Sequence, residues 1–137
     1  MVKPKKTATT TPKKKAVKKT DDFVLLRNTI IEGIQEKKGH DIVSFDLRKL
    51  GSSVADCFIV CHGDSRTQVE AIARSVEEFV FKKLKEDPAH KEGLGNLEWV
   101  LLDYFNIVVH IFERESRGFY GLERLWADAE IQKVATS

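Results

Sequence analysis

The hydrophobic positions along the chain follow two different periods. Apolar residues recur at helical spacing over 22–38 and, more strongly, over 66–86. Between and after these segments lie shorter runs rich in β-branched and aromatic residues, at 41–47, 56–62, 98–104 and 107–113. The pattern therefore predicts the order helix, strand, strand, helix, strand, strand.

The predicted boundaries rest on caps and turn residues. Asp21 and Asp22 form an acidic N-terminus for the first helix, and Asp64 or Ser65 can cap the second. A loop is expected over 88–97, and a short helix over 121–126. Between the last two strands stands Phe105-Asn106; since Asn tolerates positive φ and Phe does so poorly, a longer or bulged turn is expected.

These elements predict one mixed β-sheet packed with helices. The strand–helix–strand unit from 56 to 104 predicts a right-handed crossover within one sheet, and the hairpin adds an antiparallel pair. The expected class is α/β, with α+β as the alternative. A length of 137 residues suits a single domain.

The composition excludes several classes of protein. No run approaches 18 apolar residues, so no transmembrane helix is expected. Two cysteines, Cys57 and Cys61, cannot form a disulfide framework, and their spacing to His62 does not fit haem attachment. Four residues along a strand also separate them too widely for a disulfide. Buried structural thiols are the favoured interpretation.

Charge divides the chain into unequal parts. Residues 1–20 hold eight lysines and no acid, whereas the rest holds 15 basic and 21 acidic side chains, a balance of −6. We expect a disordered basic tail over 1–20, a domain over 21–130 and a short C-terminal tail over 131–137.

The basic tail has two interpretations. As a polyelectrolyte arm it would contact nucleic-acid phosphates and gain from counterion release. Alternatively, it serves only solubility. It has no apolar h-region, which excludes a secretory signal, and no Arg or amphipathic period, which favours a cytoplasmic location over an organellar one. The residues expected to contact RNA are Lys13, Lys14, Lys15, Lys18 and Lys19.

Several constellations could carry chemistry, each with a structural alternative. The turn at 63–65 could hold a phosphate on free amides, or simply cap a helix. Asp103 and His110 could act as an acid–base pair, or serve structure or a partner. Carboxylates spaced two apart suit metal-dependent phosphoryl transfer, but no phosphate-binding Gly-Ser turn precedes them. These pairs are Glu113 with Glu115 and Asp128 with Glu130.

Aromatic residues concentrate near the end of the chain. They form either a binding patch on an uncovered sheet face or ordinary core packing. Strand alternation places Trp99 and Asp103 on one face and puts Tyr104 on the opposite one. The set comprises Trp99, Tyr104, Phe105, Phe112, Phe119, Tyr120 and Trp126.

Three blocks together resemble the Iojap-like ribosomal silencing factor (RsfS) family. The first is Ala-Asp-Cys-Phe-Ile-Val-Cys at 55–61, followed by Gly-Asp-Ser-Arg-Thr-Gln-Val at 63–69. The second is Trp-Val-Leu-Leu-Asp-Tyr at 99–104 with Val-Val-His-Ile-Phe at 108–112. The third spans 117–128. The resemblance covers about residues 23–128, nearly the whole domain.

The resemblance implies a fold similar in topology to nucleotidyltransferases, without catalysis, metal, cofactor or small-molecule substrate. It implies binding to the large ribosomal subunit at protein L-fourteen, which blocks joining with the small subunit and lowers translation when nutrients are short. It implies no membrane partner. Carried onto this chain, the expected contact residues are Trp99, Asp103, Tyr104, His110, Phe112 and Tyr120.

The chain departs from the family pattern in places. Many members have Gly-Asp where this chain has Phe105-Asn106, and often Thr-Gly-Thr-Ser where it has His-Gly-Asp-Ser at 62–65. The basic tail is not part of the signature. The alternative function, a metal-dependent nucleotidyl or phosphoryl transferase, rests on fold analogy alone.

Overall fold

A computed structural model describes residues 15–48, 55–116 and 130–133. The main elements of these ranges are two helices and six strands, and residues 114–116 are also helical. The helices are α1 (Lys15–Glu36) and α2 (Arg66–Leu84). The strands are β1 (His40–Asp46), β2 (Cys57–Gly63), β3 (His90–Glu92), β4 (Trp99–Asp103), β5 (Ile107–Glu113) and β6 (Glu130–Lys133).

The six described strands form one mixed sheet in the order β3-β4-β5-β2-β1-β6. Only β2 and β5 pair in parallel; the other four pairings are antiparallel. The prediction of an α/β domain with a mixed sheet is confirmed. Because the parallel pair is central and both its strands are almost wholly buried, their sequences are continuous apolar runs.

Both helices pack on one face of the sheet, the helix face. Ile30 and Ile34 of α1 and Ile72 and Val76 of α2 are fully buried there with the side chains of alternate strand residues. The antiparallel helices approach closely where Gly33 meets Ser75, whose hydroxyl donates to the Gly33 carbonyl oxygen at 2.7 Å. Burial of this apolar stripe is the main stabilisation of both helices.

The opposite face of the sheet, the far face, carries a second apolar cluster. In the described ranges it is built from strand and strand-flanking residues, without a helix. Its buried members are Val43, Phe45, Leu47, Ala55, Phe58, Val60, Val108 and Phe112, with Trp99 and Leu101 partly buried against them.

The predicted elements match the structure closely at β1, β2, α2, β4 and β5. The boundary of α1 differs: the helix begins at Lys15, so residues 15–20 of the expected disordered tail are helical and Asp21 and Asp22 lie inside the helix. The segment after Pro12 contains Lys, Ala and Val but no helix breaker, which allows the helix to extend. Residues 1–14 lie outside the described residues.

Two strands were missed by the sequence analysis. β3 lies in the expected loop over 88–97, and its three residues are all exposed, so it has no hydrophobic pattern to reveal it. β6 covers 130–133, across the expected start of the C-terminal tail, and pairs with β1. The short helix expected over 121–126 lies outside the described residues.

The sequence pattern also predicted the wrong end point for the crossover that begins at β2. The strand at 98–104 runs antiparallel to its neighbour β5, whereas β5 runs parallel to β2. The chain leaving α2 first forms β3 and β4, an antiparallel pair, and only then enters β5 beside β2. Strand direction therefore reverses within the segment that the sequence pattern treated as one crossover.

Candidate functional site

The accessible part of the far face lies on β4. Along this strand half-exposed residues alternate with buried ones, and the half-exposed residues are Trp99, Leu101 and Asp103. We call these three residues the β4 strip. Their alternation follows from the pleat, which turns Val100 and Leu102 into the core under the helices. Leu101 was not among the expected contact residues.

Trp99 is held from below by two residues of β5. Its indole Nε1–H donates a hydrogen bond of 3.0 Å to Nδ1 of His110. Its ring stacks on Phe112, directly opposite on β5, with centroids 5.1 Å apart and an interplanar angle of 26°. A large aromatic side chain fixed in this way loses little further freedom when a partner binds it.

His110 lies inside the protein, with 4% of its surface exposed. Its ring packs edge-on against Phe58 at 4.7 Å. Burial lowers the pKa of His110 to about 4, because the charged imidazolium is poorly solvated there. Its buried Nε2 atom has no hydrogen-bond partner within the part of the chain that the structure describes. The residue therefore supports Trp99 as a neutral ring.

The structure separates the expected contact residues into three groups. Trp99 and Asp103 reach the surface of the far face. His110 and Phe112 lie beneath them and are buried. Tyr104 lies on the helix face, as alternation predicts, and its buried hydroxyl has no hydrogen-bond partner in the described ranges. Burial, with a smaller effect of Glu77, raises the pKa of Tyr104. Tyr120 lies outside the described residues.

Asp103 and His110 do not form the acid–base pair that the sequence left open. Asp103 Oδ1 accepts the backbone N–H of Phe105 at 2.7 Å, so it caps the β4–β5 turn. The Nδ1 atom of His110 accepts from Trp99 instead. Oδ1 of Asp103 and Nδ1 of His110 therefore each make a local contact and not a contact with each other.

The turn at 63–65 uses its polar groups internally. The Ser65 side chain accepts from the backbone N–H of Gln68, which makes Ser65 the N-cap of α2. The backbone N–H of Asp64 donates to Gln68 Oε1 at 2.7 Å, and the Asp64 carboxylate lies 2.9 Å from His40 Nε2. A carboxylate beside these amides opposes a phosphate, so the capping interpretation is favoured.

The remaining candidates for chemistry agree with structural roles. Cys57 and Cys61 are buried thiols, as expected, and burial raises the pKa of the Cys57 thiol. Among the described residues, no three His, Cys, Asp or Glu side chains are grouped so that they could hold a metal ion. Asp128 lies outside the described residues. No helix in the described ranges is long and apolar enough to cross a membrane.

The fold and the site together define a class of protein. It is an α/β domain whose mixed sheet carries helices on one face and the β4 strip on the other. The family model described as "Ribosomal silencing factor during starvation" matches residues 18–137. The chain therefore belongs to the family of ribosomal silencing factors, and the resemblance seen in the sequence is confirmed.

Individual relatives agree with this assignment. The ribosomal silencing factor RsfS of Bacillus subtilis is 38% identical over 102 residues, covering 70% of this chain and 80% of its own. The chloroplastic protein Iojap of Zea mays is 33% identical over 75 residues, covering 53% of this chain and 31% of its own. A crystal structure from Chromobacterium violaceum superposes with a TM-score of 0.70 at 36% identity, covering 82% of this chain and 89% of its own.

Proposed function

We propose that this chain binds the large ribosomal subunit through the β4 strip and thereby prevents the small subunit from joining. Translation then falls when nutrients are short. One observation supports this choice of site: the Trp99 side chain is half-exposed, and His110 and Phe112 hold it in place. Pre-positioned aromatic side chains of this kind supply most of the binding energy in many interfaces.

The contact residues take different roles in this proposal. Trp99, Leu101 and Asp103 touch the partner directly, since they are the half-exposed residues of β4. His110 and Phe112 support Trp99 from below. Tyr104 supports the same strand from the helix face. Tyr120 remains a predicted contact.

We assign the partner as the large-subunit protein L-fourteen, with ribosomal RNA contacted by the basic tail. The part of the chain after residue 20 carries a balance of −6, which suits a basic protein surface and opposes direct contact with phosphates. The lysines suit RNA: Lys15, Lys18 and Lys19 lie on the first turns of α1, and Lys13 and Lys14 precede them.

The proposed mechanism is steric exclusion in the cytoplasm and requires no enzymatic step, metal or cofactor. A bound domain covers surface that the small subunit must bury. An interface of about 800 Å² per partner is sufficient for a stable complex. Its affinity depends on a few anchors and not on the total area.

Sedimentation tests the proposal directly. Purified chain is mixed with separated ribosomal subunits and run on sucrose gradients. We expect co-migration with the large subunit and fewer joined ribosomes. Trp99→Ala is expected to abolish both effects, and Phe81→Ala, which removes an exposed ring from α2, to preserve them. Co-migration without loss of joined ribosomes would contradict the exclusion mechanism.

The transferase alternative is tested by calorimetry with nucleotide and magnesium. Binding of a nucleotide that depends on the metal, together with no co-migration in the gradients, would replace the proposed function with this alternative. If the chain acts by steric exclusion, calorimetry should detect no heat of metal-dependent nucleotide binding.

A further inference from the structure

The β4–β5 turn exposes a large apolar side chain at the end of the sheet. Phe105 is 73% exposed, the highest value among the large hydrophobic residues of the described ranges. The turn is tight: the backbone N–H of Tyr104 donates to the Ile107 carbonyl at 2.9 Å, and that of Asn106 to the Tyr104 carbonyl at 2.9 Å. The ring therefore projects into solvent instead of joining either core.

Phe105 also holds a backbone conformation that its side chain disfavours. Its φ is +71°, in the left-handed region, where a bulky L-residue is strained and Gly or Asn is not. The loop holds only Phe105 and Asn106 between the hydrogen-bonded Tyr104 and Ile107, so the sequence expectation of a longer or bulged turn is wrong. The reason is the local network: Asp103 Oδ1 accepts the Phe105 N–H at 2.7 Å, and the Asn106 carbonyl accepts the amides of Asp56 and Cys57.

Strain and exposure together argue against a role in folding. An exposed ring contributes little burial energy, and the positive φ lowers the stability of the native state. Asparagine at this position would relieve the strain and keep the turn hydrogen bonds, all of which involve the backbone of residues 104–107 or Asp103. A bulky residue held in a disfavoured backbone conformation is typical of a functional site.

The charges around the turn indicate what the ring would bind. Asp56 and Asp103 are both partly exposed and are joined to the turn by hydrogen bonds, Asp56 through its backbone and Asp103 through its carboxylate. The neighbouring cation, Arg48, is bonded to Asp46 at 2.7 and 3.0 Å. An exposed aromatic ring on a turn that also holds the Asp103 carboxylate suits an arginine or lysine side chain, which can lie over the ring and meet the acid. The same carboxylates repel RNA phosphates.

Phe105 lies in the turn that directly follows the β4 strip. It follows Trp99 by six residues, so the two lie at most about 20 Å apart along the strand direction. A roughly circular interface of about 800 Å² is about 32 Å across. One partner surface can therefore cover both aromatic residues, with Leu101 and Asp103 between them.

We infer that Phe105 is a second anchor of the interface, seated against a basic side chain of the large-subunit protein that covers the β4 strip. The inference rests on the proposed function. It adds a specificity-determining contact at the end of the sheet, because a partner without a basic group there gains neither the ring contact nor the charge pairing.

The test compares stability and binding in the same variants. Phe105→Asn is expected to raise the melting temperature by roughly 2–4 °C and to weaken binding to purified large subunits about tenfold. Phe105→Tyr, which keeps the ring, should bind within about twofold of wild type. Phe81→Ala is the matched control, since Phe81 is exposed on the helix face beside Lys85, and its binding should be unchanged. Asp56→Asn should weaken binding about threefold at low salt and less at high salt.

The results test the proposed function and the second anchor separately. Unchanged binding of Phe105→Asn, with Trp99→Ala defective, would overturn the second anchor and leave the proposed function standing. A lower melting temperature and weaker binding together would mean that Phe105 serves the fold, which also overturns the inference. Absence of binding by the wild-type chain would overturn the proposed function and the anchor with it.

Discussion

Trp99 donates its indole N–H to Nδ1 of His110 across 3.0 Å. The indole is a donor only, so Nδ1 must be the unprotonated nitrogen and Nε2 must carry the hydrogen of a neutral ring. Among the described residues that buried Nε2–H has no acceptor, and an unsatisfied buried donor of this kind costs about 1–3 kcal/mol. The orientation of the surface tryptophan therefore depends on a histidine that stays neutral inside the protein.

This relationship predicts a pH-dependent stability. The pKa of His110 is about 4 in the folded protein and about 6.5 in the unfolded chain, so the unfolded chain binds the proton first as the pH falls. The free energy of unfolding should decrease between about pH 6.5 and pH 4, by about 2 kcal/mol from this group on going from pH 7 to pH 5. Denaturant unfolding at both pH values measures the difference.

Two variants isolate the contribution of this histidine. His110→Asn is expected to lose that part of the pH dependence, although its stability at pH 7 falls because it no longer supports Trp99. Phe112→Leu, which also weakens the support of Trp99 but removes no titratable group, should keep the wild-type dependence. An equal slope in wild type and His110→Asn would contradict the buried neutral ring.

Removal of the Trp99 side chain should weaken binding to the large subunit while the domain stays folded. Trp99→Ala is expected to weaken binding to the large subunit by at least about 2 kcal/mol, roughly 30-fold, because the anchor is lost from the β4 strip. Since the side chain is half-exposed, the far-ultraviolet circular dichroism should remain that of the folded domain. Wild-type affinity in this variant would show that the partner contacts a different surface of the domain.

The close approach of the two helices predicts a large effect of one methyl group. A Cβ at Gly33 would lie 2.9 Å from the Val76 Cα and 3.2 Å from the Ser75 carbonyl oxygen, both backbone atoms of α2. Gly33→Ala is therefore expected to destabilise the domain by about 1–3 kcal/mol despite the better helix propensity of Ala. Chemical unfolding measures the loss.

A second glycine provides the control for this packing effect. A Cβ at Gly95 meets nothing within 4 Å, so Gly95→Ala should change stability by no more than about 0.5 kcal/mol. Equal effects of the two substitutions would show that the helices can separate without cost at Gly33.

The basic tail predicts a salt-dependent contribution to ribosome binding. Replacing Lys13, Lys14, Lys15, Lys18 and Lys19 by Gln should weaken binding mostly at low salt. The slope of log affinity against log salt should decrease by about 0.7 for each lysine that contacts RNA. Substituting Gln for Lys82 and Lys83 in the last turn of α2 provides a charge control. An unchanged slope would favour the solubilising interpretation of the tail.

The amino-acid sequence by itself determined the elements that carry strong periodic patterns. Helix α2, with its Ser65 cap, and the apolar strands β2 and β5 are specified locally, because helical spacing, caps and uninterrupted β-branched runs each favour one conformation. The alternation on β4 likewise placed Tyr104 opposite Trp99 before any contact was known.

Tertiary structure decided the features that have no local pattern. The exposed strand β3 exists only because β4 offers hydrogen-bond partners, and β5 pairs with β2 because a hairpin reverses the chain first. The positive φ falls on Phe105 because Asp103 and the amides of Asp56 and Cys57 fix the turn. His110 became a buried support and not a surface contact because packing against Phe58 and Trp99 excludes water, which sequence alone does not encode residue by residue.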